Sequence, residues 1–216
     1  MHVVVIANGE LPAGSEPASR RLLATADRAI AADGGLRHCA EIGMWPDLLV
    51  GDLDSAPPEL VEQARANGVT VQSWPIDKDA TDLELALAEA KRYGATQVTV
   101  LAAFGGRLDH EMATIGMLCS PEWAALRVTA TDGRRSLWVV RTFVDLELTP
   151  GQTVSLIPWG GEIIGIATLG LQWPLLNDTL ELGTTRGVSN VVTQEEQSVR
   201  ISPRSEGVLL VIADPG

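Results

Sequence analysis

Seven aspartates recur in the first half of the chain at the ends of short apolar runs: Asp33, Asp52, Asp54, Asp77, Asp79, Asp82 and Asp109. The β-branched residues of those runs read as strands, so the acidic loops are expected to converge on one edge of a sheet. Carboxylates gathered there repel one another unless a cation neutralises them. With no Cys/His cluster on offer, the fitting ion is hard and takes oxygen ligands, magnesium above all. Such an ion is commonly held by one or two carboxylates plus substrate phosphates, which points to a nucleotide. Glycines share the loops: Gly9 after Asn8, the pair Gly34-Gly35, and the pair Gly105-Gly106. A backbone without side chains lets N–H groups approach a phosphate closely. Lys78 and Arg107 add fixed positive charge. Neither G-x-x-x-x-G-K-[ST] nor G-x-G-x-x-G occurs, so the common nucleotide fingerprints are missing. Any one loop alone also reads as turn or helix-cap chemistry, because Asp, Gly and Ser favour both. His110 reads as a structural hydrogen-bonder, and His2 and His38 carry no functional signal.

The elements that would position these residues follow one rhythm: apolar run, polar or glycine turn, helical pattern, glycine stop. Strands are expected at 3–7, 28–32, 48–50, 69–74 and 97–103, the signature of βα units on a mostly parallel sheet. One helix is expected from an N-cap at Ser55 to Asn67-Gly68, and another carries Leu83, Ala86, Leu87 and Ala90 on one apolar face before Gly94. From Arg127 onward only short apolar runs remain, at 127–131, 136–144, 153–157, 162–169, 179–182, 188–193, 198–202 and 207–213, which predicts an antiparallel sandwich or barrel. The fold class is therefore α/β plus all-β, with domains at 1–125 and 126–216.

The formal charge of −12 argues against a general nucleic-acid binder, which needs clustered basic groups. No uncharged stretch reaches the ~20 residues that span a membrane. The start, Met1-His2 before an apolar run, lacks the basic flank of a signal peptide. Cys39 and Cys119 are far apart in the chain and read as buried apolar residues, so a reducing cytoplasm is the expected compartment.

Taken in order, Asp33-Gly34-Gly35, Gly51-Asp52-Leu53-Asp54-Ser55, Lys78-Asp79-Ala80-Thr81-Asp82 and Gly105-Gly106-Arg107-Leu108-Asp109-His110 resemble the thiamine pyrophosphokinase family. The later segments Gly170-Leu171-Gln172-Trp173-Pro174-Leu175 and Gly187-Val188-Ser189-Asn190 look like the thiamine-side segments of that family, so the resemblance spans nearly the whole chain. It implies an N-terminal α/β domain for ATP and magnesium, a C-terminal β-sandwich for thiamine, and a homodimer with active sites between subunits. The implied reaction moves the β,γ-pyrophosphoryl group of ATP to the hydroxyl of thiamine, giving thiamine diphosphate and AMP. Carried over residue by residue, Asp52, Asp54 and Asp82 would be the magnesium carboxylates, supported by Asp33 and Asp79. Lys78 and Arg107 would hold ATP phosphates beside Gly34 and Gly35, and Asp79 or Asp109 would receive the proton. Asp109 would also lie close to nucleotide or thiamine, Ser189 and Asn190 would hydrogen-bond the aminopyrimidine, and Trp173 would stand near thiamine. Rival readings are a pyrophosphokinase for another hydroxymethyl substrate, such as a pterin, and a thiamine-binding protein without catalysis.

Overall fold

Val3, Val4, Val5 and Ile6 have no exposed surface, as a β-branched run at the centre of a parallel sheet requires when helices cover both faces. They belong to the first of two units, Met1–Arg134 and Arg135–Gly216. The computed structural model describes residues 1–77, 79–193, 198–203 and 207–214. Lys78, expected to hold phosphate, lies outside the described residues.

The first unit runs β1 (His2–Ile6), α1 (Glu16–Thr25), β2 (Arg28–Ala32), α2 (Leu36–Ile42), β3 (Leu48–Gly51), α3 (Pro58–Ala66), β4 (Thr70–Ser73), α4 (Asp82–Arg92), β5 (Gln97–Leu101), α5 (Leu108–Leu118) and β6 (Arg127–Thr131). These strands lie in the order β6-β5-β1-β2-β3-β4, every neighbouring pair parallel. The chain steps outward from β1 to β4 and then returns to the other side of β1, so a topological switch point falls between β1 and β5. One core joins Val4, Ile6 and Leu49 of the sheet to Leu23, Leu36, Ile42 and Val61 of α1, α2 and α3. Helix α4 packs against β1, β2 and β3, burying Ala86, Leu87 and Ala90, the face read from the sequence. No helix among the described residues is long and apolar enough to cross a membrane.

The second unit contains β7 (Ser136–Val140), β8 (Val144–Glu147), β9 (Thr153–Trp159), β10 (Ile163–Leu169), β11 (Leu176–Leu180), β12 (Asn190–Val191), β13 (Ser198–Ser202) and β14 (Val208–Asp214). Antiparallel pairing joins β9 to β12 and β14, and β14 to β7. A second antiparallel set joins β10 to β11 and β13, and β13 to β8. Val154, Leu156 and Leu209 from the first set meet Ile163, Ile166 and Leu180 from the second in one core, which makes a sandwich. Residues in β9 alternate regularly between half-buried and buried along the strand, the period-2 pattern of a sheet with one face inward.

Three boundaries differ from the sequence reading. Arg127–Thr131, expected to open the β module, pairs parallel with β5 and closes the first unit. Ser55 is not the N-cap of α3: its hydroxyl donates to Asp54 Oδ1 at 2.9 Å, and the helix begins at Pro58 behind Pro57. The run 136–144 is not one strand: β7 ends at Val140, and the next strand, β8, begins only at Val144.

Candidate active site

Three strand ends bring the acidic residues together. β2 ends in a turn that holds Asp33 at φ 43°, a left-handed conformation that Asp tolerates better than most residues. β3 ends at Gly51, where an added Cβ would stand 2.8 Å from Asp33 Cβ and 3.2 Å from Asp82 Oδ1. Only glycine therefore lets both carboxylates close over the strand end. Asp82 opens α4, where the helix dipole favours acidic charge, and Thr81 caps that helix by accepting the Glu84 N–H at 3.2 Å. The outcome is a cluster of Asp33, Asp52 and Asp82 in which one carboxylate oxygen from each lies within 4.8 Å of the other two.

Asp33 is only 6% exposed, and its Oδ1 is buried without a hydrogen-bond partner. Burial pushes its carboxyl above the usual carboxylate range, with the charges of Asp82 and Asp54 adding to the rise and hydrogen bonding from the Ser55 side chain and the Gly34 backbone opposing it. A buried, partnerless carboxylate oxygen beside two other carboxylates is costly unless something positive meets it. The all-oxygen donor set fits a hard divalent cation such as magnesium.

The cluster differs from the expected set in one member. Asp33 stands in the place expected of Asp54, which is exposed and accepts the Ser55 hydroxyl. The loop explains the difference: Leu53 has φ 66°, and the Asp54 N–H turns back to Asp52 Oδ1 at 3.3 Å. Asp79 is exposed in the loop before α4 and is not one of the three.

Gly34 and Gly35 are required by close approach: a Cβ on the first would collide with the Asn8 side chain, and on the second with the Ile6 carbonyl. The loops after β1 and β5 are joined across the switch point by Gly9 N–H to the Ala102 carbonyl at 2.9 Å and Glu10 N–H to the Phe104 carbonyl at 2.7 Å. His38, read as silent in the sequence, places Nε2 2.8 Å from the Gly9 carbonyl. Glu111 Oε2 accepts the Gly105 N–H at 3.2 Å. Neither role is readable from sequence, because each partner is a backbone atom fixed only by the fold.

Arg107 is the residue before α5, and its guanidinium grips Asp109 twice, Nε to Oδ1 at 3.1 Å and Nη2 to Oδ2 at 2.6 Å. Hydrogen bonding from Arg107 holds the Asp109 carboxyl below its usual range. Both side chains are exposed, so the pair is open to exchange with an incoming anion.

Within the second unit, Trp173, Ser189 and Asn190 line one cleft of about 420 Å³, together with Gly187 and Arg186. Trp173 is 58% exposed. Asn190 is buried and hydrogen-bonded to both the N–H and the carbonyl of Trp173. Sequence reasoning missed Arg186, which makes a two-pronged ion pair with Asp178. Asp178 is held below the usual carboxylate range by that contact.

Two family models match these two regions. The one described as "Thiamin pyrophosphokinase, catalytic domain" covers residues 19–130, more than half of the chain. The chain belongs to the thiamin pyrophosphokinase family. The model described as "Thiamin pyrophosphokinase, vitamin B1 binding domain" covers residues 141–208 of this family member. Similar curated family proteins include thiamine pyrophosphokinase 1 of Oryza sativa subsp. japonica, 31% identical over 172 residues, covering 74% of this chain. The match spans 64% of that rice protein, less than two thirds of its length. The thiamine pyrophosphokinase of Bacillus subtilis (strain 168) is 24% identical over 185 residues, 85% of each chain. A crystal structure of thiamine pyrophosphokinase from Bacillus subtilis shares the fold with a TM-score of 0.83 at 23% identity, covering 99% of both chains. The crystal structure of thiamin pyrophosphokinase from Geobacillus thermodenitrificans gives a TM-score of 0.81 at 27% identity, covering 100% of this chain and 98% of that one.

Proposed function

We propose that this protein transfers the pyrophosphoryl group of ATP to the hydroxyl of thiamine, giving thiamine diphosphate and AMP. The observation that carries the reading is the Asp33, Asp52 and Asp82 cluster, with its buried, partnerless Asp33 oxygen, in a chain of this family. Those three residues would hold magnesium, with Asp54 and Asp79 at the margin of the site. When bound, the ion would neutralise phosphate charge and polarise the phosphorus under attack.

Each of the chain's own groups has a role in this reading. Gly34, Gly35 and the joined loops at Gly9 and Gly105 bring backbone close to the triphosphate, with Lys78 as a further cation. Arg107 leaves Asp109 for a phosphate, which offers its planar fork a better anionic partner. Freed of the guanidinium, Asp109 regains proton affinity and can take the hydroxyl proton late in the transfer, with Asp79 as the other carboxylate within this loop set. A strong base is not needed, because phosphoryl chemistry of this kind depends chiefly on in-line placement and charge neutralisation. Trp173 would stack on a ring of thiamine, and the Ser189 hydroxyl would face the aminopyrimidine. Asn190 has both acceptor lone pairs occupied and its Nδ2 donates to the Trp173 carbonyl, so its polar groups are engaged within the protein and the aminopyrimidine would fall to Ser189.

We infer further that the protein works as a cytoplasmic homodimer with shared active sites. Two buried cysteines that form no disulfide support the compartment, and exposed Leu108 and Met112 along α5 support a partnered surface. The test is an incubation with ATP, magnesium and either thiamine or a hydroxymethylpterin, followed by detection of AMP. AMP with thiamine is expected; AMP only with the pterin, or with neither, overturns the reading.

A further inference from the structure

The segment 170–173 runs antiparallel to 190–193, and its backbone ladder stops one rung short of Trp173. Thr193 N–H donates to the Gly170 carbonyl at 3.0 Å, Leu171 bridges Val192, and Gln172 N–H donates to the Val191 carbonyl at 2.8 Å. Beyond that point the main chains part. Ser189 takes φ 62°, which swings its N–H to the Ser155 hydroxyl at 3.1 Å, and Pro174 has no N–H to offer. The Asn190 carboxamide fills the gap. Its Oδ1 accepts the Trp173 N–H at 3.1 Å, and its Nδ2 donates to the Trp173 carbonyl at 2.7 Å. The same Oδ1 accepts the Val191 N–H at 2.9 Å. Two N–H donors converge on one end of the carboxamide and a carbonyl faces the other, so the amide has one orientation that satisfies all three.

We propose that Asn190 is a positioning residue that acts through Trp173. A side-chain amide takes the place of a peptide, extends the ladder by one rung, and fixes the Trp173 backbone so that its exposed indole stands as a wall of the 420 Å³ cleft. A rigid ring loses little freedom on meeting a flat ligand, so a fixed indole stacks better than a mobile one. The kinetic consequence rests on the cleft being the thiamine site; the placement of the indole does not.

The full chain labelled with ¹⁵N-tryptophan gives one indole N–H resonance for each of its 6 tryptophans. That of Trp173 is assigned by its loss in Trp173→Phe. In ligand-free Asn190→Ala it is expected to move or broaden while the others stay. An unchanged Trp173 resonance in Asn190→Ala overturns the proposal. For the kinetic arm, Asn190→Ala is expected to raise KM for thiamine about tenfold with kcat little changed. The double variant Trp173→Ala/Asn190→Ala should then match Trp173→Ala alone. Effects that multiply instead would mean that Asn190 meets the substrate directly, against the proposal. Should the unaltered chain make no AMP with thiamine, the proposed function falls, while the resonance still decides whether Asn190 places Trp173.

Discussion

Replacing Asp33 with asparagine should make the metal-free protein more stable and the enzyme nearly inactive. Asparagine keeps the shape of the side chain and tolerates the φ of 43°, so the backbone of the turn is not disturbed. What it removes is charge. Carboxylate oxygens 4.8 Å apart, each carrying a full charge, would repel by about 3.5 kcal/mol at an effective dielectric near 20. Each charge is spread over two oxygens, and water reaches the half-buried Asp52 and Asp82, so about 1–2 kcal/mol of relief is expected. For a protein of this size that corresponds to a melting temperature higher by about 2–8 °C in EDTA. Magnesium at a hundred times its dissociation constant should stabilise the unaltered protein by about 2.7 kcal/mol and the variant by much less. Turnover should fall by about a hundredfold or more. The sign of the pH dependence follows from the raised Asp33 carboxyl, whose first cause is burial. Between the usual carboxylate range and that raised value, the folded chain holds a proton that the unfolded chain releases. Metal-free stability therefore falls as pH rises through this window, and the gain from asparagine is absent below it and complete above it. Thermal unfolding with and without magnesium, at several pH values, measures all of this. A variant less stable than the parent in EDTA, yet equally stabilised by magnesium, would mean that Asp33 is an ordinary turn residue.

Gly51→Ala should cost about 1–3 kcal/mol in urea unfolding and weaken magnesium stabilisation, because the new Cβ meets Asp33 Cβ at 2.8 Å on a backbone at φ 152°. Arg107→Ala should leave stability within about 0.5 kcal/mol, since the ion pair is exposed, while kcat/KM for ATP drops about a hundredfold; Arg107→Lys recovers only part, having no planar fork. In that alanine variant the Asp109 carboxyl, no longer held low, should titrate in the usual range when followed by NMR. Asp178→Asn should free the Arg186 guanidinium at the cleft and raise KM for cationic thiamine about threefold, an effect that shrinks as salt is added.

Periodicity made the parallel strands legible, because residues 3–6 of β1, 30–32 of β2 and 48–50 of β3 are buried on both faces and must be apolar. The acidic edge was legible for a related reason: in a parallel sheet every loop after a strand emerges on the same side. Partners that lie far apart in sequence were not. Arg127–Thr131 carries the same alternating pattern whether its neighbour is parallel or antiparallel, and only the pairing with β5 decides its unit. Ser55 has the right type for a helix cap, yet the adjacent carboxylate of Asp54 takes its hydroxyl first. Asp33 and Asp54 could not be ranked as cluster members by type, since both are aspartates beside strand ends, and left-handed backbone at Asp33 and Leu53 settles which one turns inward. Asn190 was legible as a polar residue near the cleft but not in its bonds, because the peptide it holds lies 17 residues away.

Backbone strain gives an account of these loci that does not depend on side-chain chemistry. In the first unit, the described non-glycine residues with positive φ are Asp33, Leu53 and Ala102, which follow β2, β3 and β5. Each such conformation costs about 1–3 kcal/mol and persists only where surrounding contacts enforce it. Ala102 shows the enforcement: its carbonyl accepts the Gly9 N–H, and a Cβ on Gly9 would collide with that carbonyl. Ordinary turns would need neither the strain nor the glycines. Their coincidence on one edge means that these loops are drawn together more tightly than strand connection requires, with Asp33 carried into a buried position by the same geometry. In the second unit, positive φ at Asn177 and Ser189 lies beside Asp178, which grips Arg186, and beside Asn190, which grips Trp173. In each unit, then, unfavourable backbone lies next to side chains of the candidate sites, and strain of this kind persists only where the surrounding contacts enforce it.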